Sequence, residues 1–305
     1  MLRLDADPAG ALEGVDALRV HVAGAESNVA ATLARLGLRA AWISKLPVGP
    51  LGQKVERTLR AHGVDTSRVV WEETGRLGVF FTHLPAAPRR AIVIYDRQDS
   101  SFTRLDPAEV DWAFVTGSRL LHLTGITPAL GERPRRLIER ALDDAAATGL
   151  SVSFDVNYRS RLWPPERARV TLTPLIQRCQ VVICSQRDAR TVFQVTGTPE
   201  GTARALQETF GVGQVCLTLG ADGAGVLDGE RWEQMAAVSS TVVDPIGRGD
   251  AFTAGILYAR MTTGDPALGL RYGLQLAALK QACQGDIAWV DAAALTVEGG
   301  EGVPR

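Results

Sequence analysis

The chain has 305 residues, 46% of them apolar and 22% charged, which is enough to form one large domain around a sizeable core. Its 33 Lys and Arg are matched by 34 Asp and Glu, so the net charge of −1 offers no basic field for nucleic acid or anionic lipid. No apolar run approaches the ~18 residues of a membrane span, and Arg3, Asp5 and Asp7 interrupt the stretch where a secretory signal is apolar. A water-soluble, cytoplasmic protein is expected.

The elements alternate between two periods along the chain. Leu18 to Ala23 reads as a strand, Ser27-Asn28 as a helix cap, Val29, Leu33 and Leu36 as a helical stripe, and Gly37 as its stop. Ala40 to Leu46 is strand-like, and Leu51, Val55 and Leu59 give a second stripe closed by Gly63. Leu77 to Leu84 and Ala91 to Tyr95 are two strand-like runs joined by Pro85-Ala86-Ala87-Pro88 without an intervening helix, which predicts a hairpin. Then follow a strand at Leu120 to Leu123, a helix over Arg135 to Ala147 and a strand at Leu150 to Val156. The strand at Val181 to Cys184, the helices over Arg187 to Val195 and Thr202 to Phe210, and the strand at Gln214 to Leu219 continue the series. Apolar strands alternating with amphipathic helices predict an α/β fold: a mostly parallel central sheet with helices on both faces. The hairpin, with Leu18 to Ala23, predicts a small β-sheet lid from about residues 17–24 and 76–97, standing over the carboxyl ends of the strands where ligands bind in such folds. The whole of 1–305 is read as a single domain, with a frayed polar tail from Glu298 to Arg305.

Cys179, Cys184, Cys216 and Cys283 lack paired spacing, and the four histidines stand far apart. Buried free thiols and no metal cage built by the protein are expected.

The chemistry concentrates at Thr241-Val242-Val243-Asp244-Pro245-Ile246-Gly247-Arg248-Gly249-Asp250, which leads into the apolar run Ala251 to Leu257. The pattern predicts a strand, a turn with two glycines, and a helix. Gly247 and Gly249 let backbone approach a ligand, and the free N–H groups of the helix start make an anion site. Asp250 at its mouth is either a cap or a base; beside a phosphate-sized hole, a base that takes the proton of an attacking hydroxyl gains weight. No lysine is followed by Ser or Thr, which excludes a Walker A loop, and Phe252 occupies the last glycine position of a dinucleotide fingerprint.

Asp-x-x-Gly-x-Gly-Asp before an apolar helix resembles the signature of the ribokinase-like (PfkB) carbohydrate kinases. Gly24-Ala25-Glu26-Ser27-Asn28-Val29-Ala30 with Leu33-Ala34-Arg35-Leu36-Gly37 resembles the family's other signature. His122 to Thr127, Asp155 to Arg159 with Leu162-Trp163, and Ile94-Tyr95-Asp96-Arg97 look most like 2-keto-3-deoxygluconate kinases. The resemblance implies an ATP-dependent sugar kinase that transfers the γ-phosphoryl of ATP to a hydroxyl of 2-keto-3-deoxygluconate. The alternatives are another sugar such as fructose or ribose, or a non-catalytic sugar-binding protein of the same fold.

Carried over by residue, it implies Asp250 as general base and the backbone of Gly247, Arg248 and Gly249 as anion hole. Gly24, Asn28, Tyr95, Arg97, Ile126 and Arg159 would contact the sugar acid; Ser185, Leu219, Gly220 and Gly223 would border the nucleotide, with Mg2+ held largely by the phosphates. It also implies a homo-oligomer formed through the lid, and a further central strand ahead of Met1. Arg248 stands where the family often has Ala, and Ser185-Gln186-Arg187-Asp188 replaces its Asn-x-x-Glu. Arg97 and Arg159 suit a carboxylate, which a neutral sugar lacks.

Overall fold

The computed structural model describes residues 1–7, 12–85 and 88–295. In chain order the first half comprises β1 (Leu2–Asp5), β2 (Arg19–Val22), α1 (Ala25–Arg35), β3 (Lys45–Pro47), α2 (Pro50–Ala61), β4 (Val70–Glu72), β5 (Val79–His83), β6 (Ile92–Asp96), α3 (Trp112–Thr116), β7 (Leu120–Thr124) and α4 (Ile126–Ala129). The second half comprises α5 (Glu132–Thr148), β8 (Ser151–Asp155), α6 (Pro165–Ile176), β9 (Val181–Ser185), α7 (Gln186–Val192), α8 (Pro199–Phe210), β10 (Gln214–Thr218), β11 (Ala224–Asp228), β12 (Arg231–Met235), α9 (Arg248–Thr262) and α10 (Pro266–Gln281). The tail from Glu298 and the middle of the Pro85–Pro88 connection lie outside the described residues.

The central sheet has the order β12-β11-β10-β9-β8-β7; β7 to β10 are parallel, and β11 and β12 close it as antiparallel strands. Inner strands such as β9 are apolar because both faces are covered, whereas the edge strand β12 carries Arg231, Glu233 and Gln234. On β9, Val182 and Cys184 pack in one core with Leu172, Ala189 and Leu206 of α6, α7 and α8. Val181 and Ile183, alternating to the other face, pack with Phe252, Ile256 and Leu270 of α9 and α10. The expected α/β architecture is therefore present.

A second sheet, β2-β1-β5-β6, forms the lid. The hairpin pairs as expected, with Phe80 opposite Tyr95 and Phe81 opposite Ile94. Leu2–Asp5, not assigned to the lid from the sequence, is its fourth strand, lying between β2 and β5, antiparallel to the first and parallel to the second. Phe80, Val93 and Tyr95 line the cleft beneath, whereas Val20, Ile92 and Ile94 are exposed on the lid.

Three local expectations are corrected. Ser27 and Asn28 lie inside the first turn of α1, whose N-cap is Gly24; Ser27 Oγ donates to Gly24 O. Ala40 to Leu46 is strand only from Lys45, because Ala41 bridges a single loop residue, Asp65, and no ladder propagates from it. Cys283 is half-buried rather than buried, whereas Cys179, Cys184 and Cys216 are buried free thiols.

Candidate active site

The turn before α9 is held by geometry, not by a strand. Thr241 to Val243 is irregular and exposed, contrary to expectation, and the amides of Val243 and Asp244 both donate to Gln281 O at the end of α10. Gly247 is the N-cap of α9 with φ 83°, and a Cβ there would lie 2.0 Å from Asp286 O, so neither its conformation nor its space admits a side chain. The helix ladder begins with Ala251 N donating to Gly247 O; ahead of it Arg248 N makes a long 3.4 Å bond to Pro245 O, and the amides of Gly249 and Asp250 lie outside the ladder. A Cβ at Gly249 would meet only open space. Arg248 is turned to α10, where its Nη1 donates to Gln281 Oε1 at 3.3 Å.

Asp250, in that first turn, is buried, and its Oδ2 accepts a 2.7 Å hydrogen bond from Asn28 Nδ2 of α1. Burial raises its pKa to about 6, against the lowering pull of Asn28 and Arg159. Asn28 Oδ1 is buried without a partner. On the lid side, Tyr95 stacks on Phe80 at 5.5 Å, and the Arg97 guanidinium lies 4.3 Å over the Tyr95 ring. Arg97 Nε and Nη2 are buried with no acceptor, and burial, joined by repulsion from Arg159, lowers its pKa.

The ends of the parallel strands supply a cluster of acids opposite. Asp155 ends β8 and accepts from Asn157 N and Nδ2; burial, aided by the nearby Asp250 and Asp188 charges and opposed by Arg159, raises its pKa to about 8. Asp188 is likewise raised by burial and countered by Ser185 and Arg159. Ser185 is the N-cap of α7, its Oγ accepting from Asp188 N. Glu26 accepts from Thr124 Oγ1 and Thr127 Oγ1 at the end of β7 and in α4. Asp155 and Glu26 were not singled out from the sequence; the place of Asp155 at the carboxyl end of a parallel strand is the signal that marks it. Arg159, exposed, is a countercharge that lowers the pKa of Asp155, Asp188 and Asp250.

Gly24, Asn28, Tyr95, Arg97, Ile126, Arg159, Ser185, Leu219, Gly220, Gly223, Gly247, Arg248, Gly249 and Asp250 all line one cleft of about 2600 Å³, which runs on between β7 and the Ala40–Ser44 stretch. The fold thus brings together every candidate residue from seven separate parts of the sequence. Among the described residues no group of three or more His, Cys, Asp and Glu is arranged to hold a metal ion.

Comparison with known proteins gives a consistent answer. Residues 3–293 match the model of the pfkB family carbohydrate kinases. The chain is 38% identical over 291 residues to the 2-dehydro-3-deoxygalactonokinase of Haloferax volcanii, covering 95% of this chain and 91% of that one. It is 32% identical over 293 residues to the 2-dehydro-3-deoxygluconokinase of Thermoproteus tenax, covering 94% and 87%. The crystal structure of the 2-dehydro-3-deoxygluconokinase of Thermotoga maritima superposes with a TM-score of 0.91 at 29% identity, over 97% of this chain and 94% of that one.

Proposed function

The chain belongs to the pfkB family of carbohydrate kinases, phosphotransferases with an alcohol acceptor, and we propose that it transfers the γ-phosphoryl of ATP to a hydroxyl of 2-keto-3-deoxygluconate (2-dehydro-3-deoxygluconate). One observation carries the choice of an acid over a neutral sugar: the Arg97 guanidinium, buried under the lid with Nε and Nη2 unpartnered. A buried cation without an anion is costly, and a substrate carboxylate supplies the missing charge with matching two-pronged geometry. Fructose or ribose would leave it uncompensated.

In this reading Asn28 orients Asp250, whose carboxylate takes the proton of the attacking hydroxyl, and the unpartnered Asn28 Oδ1 accepts from a second sugar hydroxyl. Gly24 and Ile126 shape the sugar site, and Arg159 answers either the acceptor's charge or the phosphates. The amides of Gly247, Arg248 and Gly249 and the α9 N-terminus hold the transferring phosphoryl and stabilise its charge. Ser185, Leu219, Gly220 and Gly223 border the nucleotide. A Mg2+ ion held largely by the ATP phosphates would neutralise their charge. An ATP-dependent enzyme works where ATP is supplied, which points to the cytoplasm. Exposed Val20, Ile92 and Ile94 on the lid suit a second copy of this chain, so a homodimer through the lids is part of the proposal.

A panel of acceptors in a coupled ADP-release assay tests the substrate. The expected order is 2-dehydro-3-deoxygluconate and its galactonate epimer far above fructose and ribose; a preference for a neutral sugar contradicts the reading. Binding of the sugar acid without ADP release would favour a non-catalytic binder.

A further inference from the structure

Arg3 of β1 is completely buried, and its guanidinium is divided between two parts of the molecule. Two arms hold the lid: Nε donates to Thr82 Oγ1 of β5 at 3.1 Å, and Nη2 to Asp5 Oδ2 of β1 at 2.9 Å. Two arms hold the body: Nη2 donates to Asp244 Oδ2 at 2.6 Å, and Nη1 to Asp286 Oδ1 at 2.9 Å. Thr82 Oγ1 closes the lid half by donating to Asp5 Oδ1 at 2.7 Å.

The two body acids flank the phosphate-binding turn. Asp244 Oδ1 accepts from Ile246 N and so shapes the chain just ahead of Gly247, while its Oδ2 also accepts from Gly285 N. Asp286 places its carbonyl against Gly247, at the contact that excludes a side chain there. Lys280, also fully buried, donates to Asp244 O and Cys283 O and fixes the same corner from α10. Two cations thus face three carboxylates. Burial opposes the charge on Arg3, yet Asp286, Asp244 and Asp5 together hold its pKa above the ordinary value.

We propose that Arg3 is a positioning residue that joins the lid bearing Tyr95 and Arg97 to the turn bearing Gly247, so that acceptor and nucleotide each bind more tightly when the other is present. The lid forms one wall of the acceptor site and the turn forms the phosphate site, and both are fastened to one rigid guanidinium. A ligand that draws either the lid or the turn into its binding position moves the other through the shared guanidinium, and the second ligand then meets a site already placed. The coupling is reciprocal, as linkage requires. The inference rests on the assignment of the two sites above but not on the identity of the acceptor.

Calorimetric titration of 2-dehydro-3-deoxygluconate, with and without a saturating non-hydrolysable ATP analogue, measures the coupling as a ratio of two Kd values. The wild-type ratio is expected to be about 5 or more. Arg3→Met should bring it to within about twofold of one; Thr82→Val, which removes the arm to β5 while leaving the pair with Asp5 and both body arms, and serves if Arg3→Met does not fold, should lower it at least by half. A merely structural Arg3 would lower Tm and leave the ratio unmoved, and that result, or a wild-type ratio of one, overturns the proposal. If the wild type proves to phosphorylate a different sugar, the titrations use that sugar: the acceptor assignment then fails, and the ratio still decides the role of Arg3.

Discussion

Asp250 is buried and the Arg97 guanidinium has its Nε and Nη2 buried, and burial disfavours the charge on both, raising the pKa of Asp250 and lowering that of Arg97. Burial holds the Asp250 proton to about pH 6, above the ordinary carboxylate range, so the base is ionised above that value and protonated below it. Turnover under saturating substrates is therefore expected to fall about tenfold per pH unit below 6 and to level off above it, as a pH profile of kcat would record. Arg97 is disfavoured by burial and lacks an acceptor, so its natural partner arrives with the substrate. Arg97→Met should raise the acceptor KM by about 10- to 100-fold, the range of a charge-assisted hydrogen bond, with the ATP KM changed less than about threefold. Arg248 is a different case: its side chain turns aside to bond Gln281, so an Arg is accommodated where the family often has Ala.

At the level of elements, α9 is the axis of the site, since it carries Asp250 at one end and is buried over Asp250–Leu257. It can lie this close to α10 because Gly255 faces Gly273: a Cβ on Gly255 would stand 2.4 Å from Gly273 N. Gly255→Ala must push the helices apart and is expected to cost about 1–3 kcal/mol of stability, read as a lower Tm or denaturation midpoint, and to reduce turnover by displacing Asp250. Much of this level was legible in the sequence. Strands buried on both faces, such as Val181–Ser185, are unbroken apolar runs, and the helices that cover them have clear stripes and stops. The reading failed where apolar character was not matched by a partner. Ala40–Leu46 and Thr241–Val243 look like strands, but the first meets one bridging residue and the second bonds to the end of a helix. Within the site, the two-glycine turn and Asp250 were legible because their spacing is local. Asp155, Glu26 and the Arg3 cluster were not, because their meaning comes from neighbours distant in sequence.

Under the proposed function, the whole molecule gives the nucleotide to the body and one wall of the acceptor site to the lid. The lid's open face is apolar where it should be polar in a lone sheet: Val20 and Ile94 are 43% and 47% exposed. If a second lid covers it, Ile94→Glu should convert a dimer to a monomer in sedimentation or light scattering; a wild-type monomer would remove that assignment. The molecule's central claim is that Asp250 performs the chemistry while the turn beside it binds phosphate. Asp250→Asn keeps the shape of the side chain and removes the base, so single-turnover ADP formation measured with calorimetric ATP affinity on the same preparation is decisive. The account predicts a loss of about 100-fold or more in rate with ATP affinity within about threefold of wild type; near-normal turnover in Asp250→Asn would contradict it.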